Sequence, residues 1–110
     1  PIFACAIVLK ESDEYIGSCG VAELDRPEKI ECYYSLLPRF WKQGYATEAT
    51  AGLIDYCLSQ AGIGEIWALM SPDNPHSAGV AQRVGMQSRG VQVHPLHGNA
   101  GLAFAISQQR

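Results

Sequence analysis

The chain has 110 residues, 47% of them apolar and 17% charged, with a formal net charge of −3. This is the composition of one ordinary globular domain, long enough to build its own core and too apolar to be disordered. The mildly acidic balance, with no Lys/Arg run, argues against a nucleic-acid surface, and no apolar run nears the roughly 18 residues of a membrane span.

Ile2 to Leu9 is a nearly continuous apolar run with β-branched and aromatic members, the pattern of a strand buried on both faces. Lys10 to Glu14 is a polar turn. Tyr15 to Glu23 alternates loosely around Gly17, Ser18 and Gly20, so the two runs predict a β-hairpin with a longer loop. Leu24 to Lys29, with Asp25, Arg26 and Pro27, predicts a second turn, and Ile30 to Leu37 a third strand that completes an antiparallel meander. Pro38 stops that run. From Ala46 to Gln60 the period changes, predicting a helix over Thr47 to Gln60: Ala46, Ala49, Leu53 and Cys57 share one helical face, with Ile54 and Leu58 on its flank. Gly62 and Gly64 supply a stop.

Glu65 to Met70 predicts a fourth strand, ended by Ser71-Pro72-Asp73. Strand, helix and strand in this order form a crossover unit, so the third and fourth strands are expected to run parallel. Asn74 to Val84 predicts a second helix, with Asp73 or Asn74 as cap, Pro75 in its first turn and Gly85 after its end. Met86 to His94 and Leu102 to Ser107 predict two more strands. The expected class is α/β, a mixed and mostly antiparallel sheet with two helices, in a single domain spanning residues 1–110.

Two features bear on chemistry. The turn through Gly44 into a helix start leaves backbone N–H groups without intrahelical partners, and with the helix dipole and Lys42 they suit a phosphate. Cys5, Cys19, Cys32 and Cys57 form no Cys-x-x-Cys pair and have no His at ligand spacing, so buried free thiols in a reducing cytosol are expected and no metal. His76, His94 and His97 receive no role.

The segment Trp41-Lys42-Gln43-Gly44-Tyr45-Ala46-Thr47-Glu48-Ala49 resembles the acetyl-CoA pyrophosphate loop of the GNAT superfamily of N-acetyltransferases, closest to the branch of ribosomal-protein N-terminal acetyltransferases. The family pattern Gln/Arg-x-x-Gly-x-Gly/Ala falls on Trp41, Gly44 and Ala46, with Trp41 departing at the first position. Asn74, Ser77, Val80, Gly85 and Met86 are similar to the family's Asn-x-x-Ser-x-x-Val-x-x-x-x-Gly-Phe/Met segment, in the right order and at a suitable distance.

The resemblance implies acetyl-CoA as cosubstrate, its diphosphate on the backbone of Lys42, Gln43, Gly44, Tyr45, Ala46 and Thr47. The pantetheine arm would lie between the third and fourth strands, against Leu36 and Leu37 on one side and Ala68 to Met70 on the other. An N–H near Leu36 or Leu37 would receive the thioester carbonyl. Asn74 either holds the pantetheine or caps the helix. Ser77 either protonates the leaving thiolate or is an ordinary first-turn residue. Glu31 is the first candidate base and Glu23 the second, each with the alternative of a plain solvated carboxylate. Tyr33, Tyr34 and Trp41 read as core or pocket wall.

The implied activity is acetyl transfer to a primary amine of a protein N-terminus or small molecule, in a cytoplasmic enzyme. The alternatives are an acyl-CoA-binding module without catalysis and a plain nucleotide-binding domain; the latter is disfavoured because neither Gly-x-x-x-x-Gly-Lys-Ser/Thr nor Gly-x-Gly-x-x-Gly is present. The strand resembling the family's second begins at Ile2, without a basic-plus-apolar leader before it. The chain is therefore expected to be N-terminally short, to expose a sheet edge, to form a homo-oligomer, and to transfer acetyl groups weakly without added sequence.

Overall fold

A computed structural model describes residues 3–26, 29–60 and 63–107. The elements in order are β1 (Phe3–Val8), β2 (Tyr15–Arg26), β3 (Lys29–Leu36), a short 3₁₀ turn (Pro38–Phe40), α1 (Tyr45–Gln60), β4 (Glu65–Met70), α2 (Pro75–Arg83), β5 (Gln87–Val93) and β6 (Ala100–Ser107). They form one six-stranded sheet in the order β1-β2-β3-β4-β6-β5. Every pairing is antiparallel except β3 with β4, the pair joined through α1. The mixed α/β class and the parallel crossover stand as expected.

One face of the sheet carries both helices. Alternation along the strands turns Cys19 and Val21 of β2, Ile30 and Cys32 of β3, Ile66 and Ala68 of β4 and Phe104 of β6 to that side. Leu53, Ile54 and Cys57 of α1 and Ala81 of α2 close over them. Ile30, Ile66 and Cys57 are completely buried; truncating either isoleucine to alanine would cost about 2–5 kcal/mol. The opposite face has no helix and a smaller apolar cluster of Leu24, Trp67, Ala103 and Ala105. Lys29 lies over the Trp67 ring at 4.3 Å and Trp67 Nε1 donates to Glu65 Oε1 at 2.9 Å.

Gly17 sits where only a glycine fits. A Cβ there would stand 2.1 Å from the Ser35 carbonyl oxygen, so β2 and β3 pass too closely for any side chain. The register also shifts between Ile7 and Val8, beside this point.

Three expectations are corrected. The first strand is not buried on both faces: β1 lies at the sheet edge, paired only with β2, and Ala4, Cys5, Ala6 and Val8 are exposed. Consequently Cys5 is an exposed thiol, while Cys19, Cys32 and Cys57 are buried as expected. Finally, β2 continues past Glu23 to Arg26, because buried Leu24 packs on Trp67 in the helix-free cluster and prolongs the strand. Pro27, on which part of the expected turn rested, lies outside the described residues, as does Gly62.

Burial pushes the Cys32 thiol up to about 12, with the Glu31 carboxylate adding to the effect, and burial also raises Cys19 and Cys57. A thiol that is buried and protonated reacts slowly. A thiol-specific disulfide reagent at pH 8 should therefore label Cys5 rapidly in the native protein and the other three only after unfolding. Rapid native labelling of more than one thiol, counted by mass spectrometry, would contradict this packing.

Candidate active site

The segment between β3 and α1 is built to present backbone. Trp41 donates its amide to Pro38 at 3.1 Å and its indole Nε1 to the Leu36 carbonyl at 3.0 Å, and its ring stacks on His76 at 5.4 Å. Gln43 Nε2 closes the turn on the Arg39 carbonyl at 3.1 Å, and Arg39 pairs with Glu14. With these ties the chain passes through the left-handed region at Lys42, φ 62°, and again at Gly44, φ 86°. Left-handed residues in such a turn aim N–H groups inward and form an anion-binding concavity.

The Gly44 carbonyl accepts the Glu48 amide at 3.0 Å, the first bond of α1. The amides of Tyr45, Ala46 and Thr47 therefore have no acceptor within the helix. They face a cleft of about 470 Å³ that Lys42, His76 and Arg83 also line. A Cβ on Gly44 would meet nothing within 4 Å, so glycine is required by its φ and by the open space in front of it rather than by crowding. Arg83, in the last turn of α2, is a cation that no sequence motif marked.

The cleft continues from the start of α1 toward the start of α2. A second cleft of about 390 Å³ shares Leu36, Ala46 and His76 with the first and extends to Tyr34, Asn74 and Ser77. A third, narrower space shares Tyr34 and Ser77 with the second and reaches Ala68, Leu69, Met70 and finally Glu31. That last space is a split in the sheet. The β3–β4 ladder pairs Lys29 with Glu65, Ile30 with Ile66 and Glu31 with Trp67, and then ends. Beyond it β3 stays paired with β2 as far as Leu36–Gly17, and β4 with β6 as far as Met70–Leu102.

The register decides which amides face the split. Leu37 donates to the Ile16 carbonyl at 2.9 Å, so its N–H points to β2. In an antiparallel ladder successive residues alternate in this respect. Leu36 is thus turned the other way, its amide toward the split and its carbonyl on Trp41. Of the two expected donors, Leu36 is the one whose N–H opens to the groove.

Tyr34 reaches from β3 to α2, donating its phenol to the Ser77 carbonyl at 2.8 Å. Burial raises the Tyr34 phenol above its ordinary range, and Cys32 adds to this while the Ser77 bond opposes it, so the hydroxyl keeps its proton. At the start of α2, Asn74 Oδ1 accepts the Ser77 amide at 3.2 Å and Asn74 Nδ2 donates to Ser77 Oγ at 3.1 Å. Asn74 is a helix cap, the second of its two expected roles. Ser77 Oγ, already an acceptor, keeps its own hydrogen for the cleft it lines.

Glu31 stands at the far mouth of the split. Its Oε1 is 2.7 Å from His94 Nε2. The amides of Leu96 and His97 point at His94 Nδ1, at 3.1 and 3.2 Å, so Nδ1 is the accepting nitrogen and Nε2 carries the hydrogen given to Glu31. His94 was assigned nothing from the sequence, and no local signal marks it: the two residues are 63 positions apart. Glu23, the second candidate base, is exposed and alternates to the helix-bearing side of β2, away from the split.

Known proteins share both the family and the fold of this chain. Residues 2–87 match the Acetyltransferase (GNAT) domain, and the chain belongs to that family. It is 33% identical over 87 residues to an uncharacterized N-acetyltransferase, p20, of Bacillus licheniformis, covering 78% of this chain and 49% of that protein. The fold is that of the ribosomal-protein-S5-alanine acetyltransferase of Vibrio fischeri, with a TM-score of 0.85 at 20% identity over 97% of this chain and 62% of that one. It is also that of Mycobacterium smegmatis RimJ solved with CoA-disulfide, at TM-score 0.78, 22% identity and coverage of 94% and 53%. The chain spans about half the length of the curated relatives it matches.

The cap makes a stability prediction. Asn74→Ala should lower the urea unfolding free energy by about 1 kcal/mol, the usual loss for an N-cap, while Asn74→Asp, which keeps the oxygen facing the Ser77 amide, should retain most of it. Equal losses in both variants would show that the Nδ2 bond to Ser77 Oγ matters more than the cap.

Proposed function

We propose that this chain binds acetyl-CoA along the groove and transfers the acetyl group to a primary amine. The observation that carries the reading is the continuity of the groove, from the free amides at the start of α1, through the split, to the Glu31 carboxylate. Acetyl-CoA supplies an activated acetyl thioester. The amides of Tyr45, Ala46 and Thr47, with Lys42 and Arg83, offer its diphosphate charge-assisted hydrogen bonds worth roughly 1.5–3 kcal/mol each. The unpaired inner edge of β3 offers an extended arm the bonds of a missing strand.

The remaining roles follow from position. The Leu36 amide is the fixed donor for the oxygen on which negative charge grows during attack. Glu31, at the mouth on the helix-free face, takes the proton of the attacking amine, and the acceptor enters from that face. Ser77, with its hydrogen free, returns a proton to the leaving thiolate. The reading is one of direct transfer, since Cys32, the only cysteine among the described residues lining the split, has its thiol pushed up to about 12 and is no nucleophile at neutral pH. Two proteins of this fold are named a ribosomal-protein-S5-alanine acetyltransferase and a spermidine N-acetyltransferase, which makes a protein amine and a polyamine the first acceptors to test.

Calorimetric titration with acetyl-CoA tests the first half. Gly44→Val should weaken binding at least 10-fold, about 1.4 kcal/mol, and unchanged affinity in a folded variant would overturn the loop's role. Turnover on a panel of amines (a free peptide N-terminus, a polyamine, an aminoglycoside, an amino acid) tests the second. Glu31→Gln should lower it about 10²-fold or more with acetyl-CoA affinity intact, and near-normal turnover would remove Glu31 as base.

A further inference from the structure

The Glu31 carboxylate is held at one oxygen. Its Oε1 is held by His94 Nε2 at 2.7 Å, and among the described residues Oε2 has no partner. His94 itself is only 5% exposed, whereas the Glu31 side chain is 20% exposed. The imidazole is locked from its other side. Leu96 and His97 donate their amides to Nδ1, the His97 ring stacks on His94 at 4.3 Å, and the backbone of His94 is bonded to Gly98 and Asn99 at 2.9 and 2.8 Å.

The whole β5–β6 connection is thus wound around one imidazole. In the strand order β5 is separated from β3 by β6 and β4, so the connection leans across the helix-free face to bring that ring to Glu31. Small residues beneath it permit this. Ala103 of β6 is fully buried, and Gly101 passes so close to Met70 that a Cβ would stand 2.5 Å from its carbonyl oxygen.

We propose that His94 is a positioning residue: its Nε2–H fixes one oxygen of Glu31 so that the other points into the mouth of the split, where the acceptor amine must lose its proton. The proposal rests on the reading of Glu31 as base. The imidazole donates throughout and takes no proton from the substrate. It ties the conformation of the β5–β6 connection to the orientation of the base, so a well-ordered connection is a condition for rapid transfer.

Two substitutions divide the ring's functions. In His94→Asn the Oδ1 replaces Nδ1 and can still accept the Leu96 and His97 amides, but nothing reaches Glu31. In His94→Gln the Nε2 replaces the ring Nε2 and can still donate to Glu31, while the Nδ1 contacts are lost. Steady-state kinetics in the full-length protein, with acetyl-CoA affinity and circular dichroism as folding controls, should show kcat reduced 10-fold or more in His94→Asn with KM for acetyl-CoA unchanged. His94→Gln should restore at least half of the lost rate on a logarithmic scale.

In a Glu31→Gln background, His94→Asn should cost nothing further, because the two act as a unit. The reverse order, with His94→Asn near wild type and His94→Gln impaired, would show that His94 merely holds the loop and would overturn the proposal. So would additive losses. If Glu31→Gln alone turns over normally, the underlying assignment of the base fails instead, and the two failures are told apart. Nitrogen-15 shifts of the His94 ring give a readout apart from turnover. Nδ1 should show as acceptor and Nε2 as protonated, with the Nε2 proton moving upfield in Glu31→Gln; a ring protonated at Nδ1 would also overturn the proposal.

Discussion

The interruption of one parallel ladder governs the rest of this molecule. After Glu31 and Trp67, β3 and β4 stop exchanging hydrogen bonds, although each stays paired on its outer side to the end of its run. An unpaired buried amide or carbonyl costs about 1–3 kcal/mol, so such a split persists only where the surroundings enforce it. Here the outer ladders with β2 and β6 hold the two strands apart, and Ile30 and Ile66, fully buried beneath the paired part, fix where the parting begins. The split is also an opportunity, because unpaired strand edges bind extended chains.

Both ends of the groove are made stiff by different means. At the end beside α1, the left-handed backbone of Lys42 costs about 1–2 kcal/mol for a residue with a side chain. The bonds of Trp41 to Leu36 and Gln43 to Arg39 hold the turn in that state, so its amides converge before any ligand arrives. At the other end a carboxylate is held by a buried ring. Between them the Tyr34 phenol crosses to the first turn of α2 and keeps helix and strand in register. A groove preorganised along its length loses little freedom on binding.

The two faces of the sheet divide the labour. The helix-bearing face holds most of the core, and the groove runs between its helices and the sheet. The helix-free face is thinly covered, with Tyr33 exposed and Trp67 packed beneath Lys29. The split joins the two faces, which is why a carboxylate on one side lies close to a groove on the other.

Much of this was legible in the chain alone, because the signals are local. Periodicity in Ala46, Leu53, Ile54 and Cys57 marks a helix face, Pro38 and Gly44 punctuate the turn before it, and Asn74-Pro75 begins the next helix. Two motifs at the right separation carried the family, and a strand–helix–strand order carried the parallel pair. What the tertiary structure decided depends on which strand lies beside which. Ile2 to Leu9 has the composition of a central strand, yet β1 is an edge strand, so Cys5 is bare. Leu36 and Leu37 are alike as residues, and only the register with Ile16 and Gly17 turns one amide to the groove and the other to β2. His94 meets Glu31 because β6 lies between β4 and β5 and the β5–β6 connection reaches back across the sheet. No pattern along the chain carries that contact, since its geometry is set by the stacking order of strands far apart in sequence.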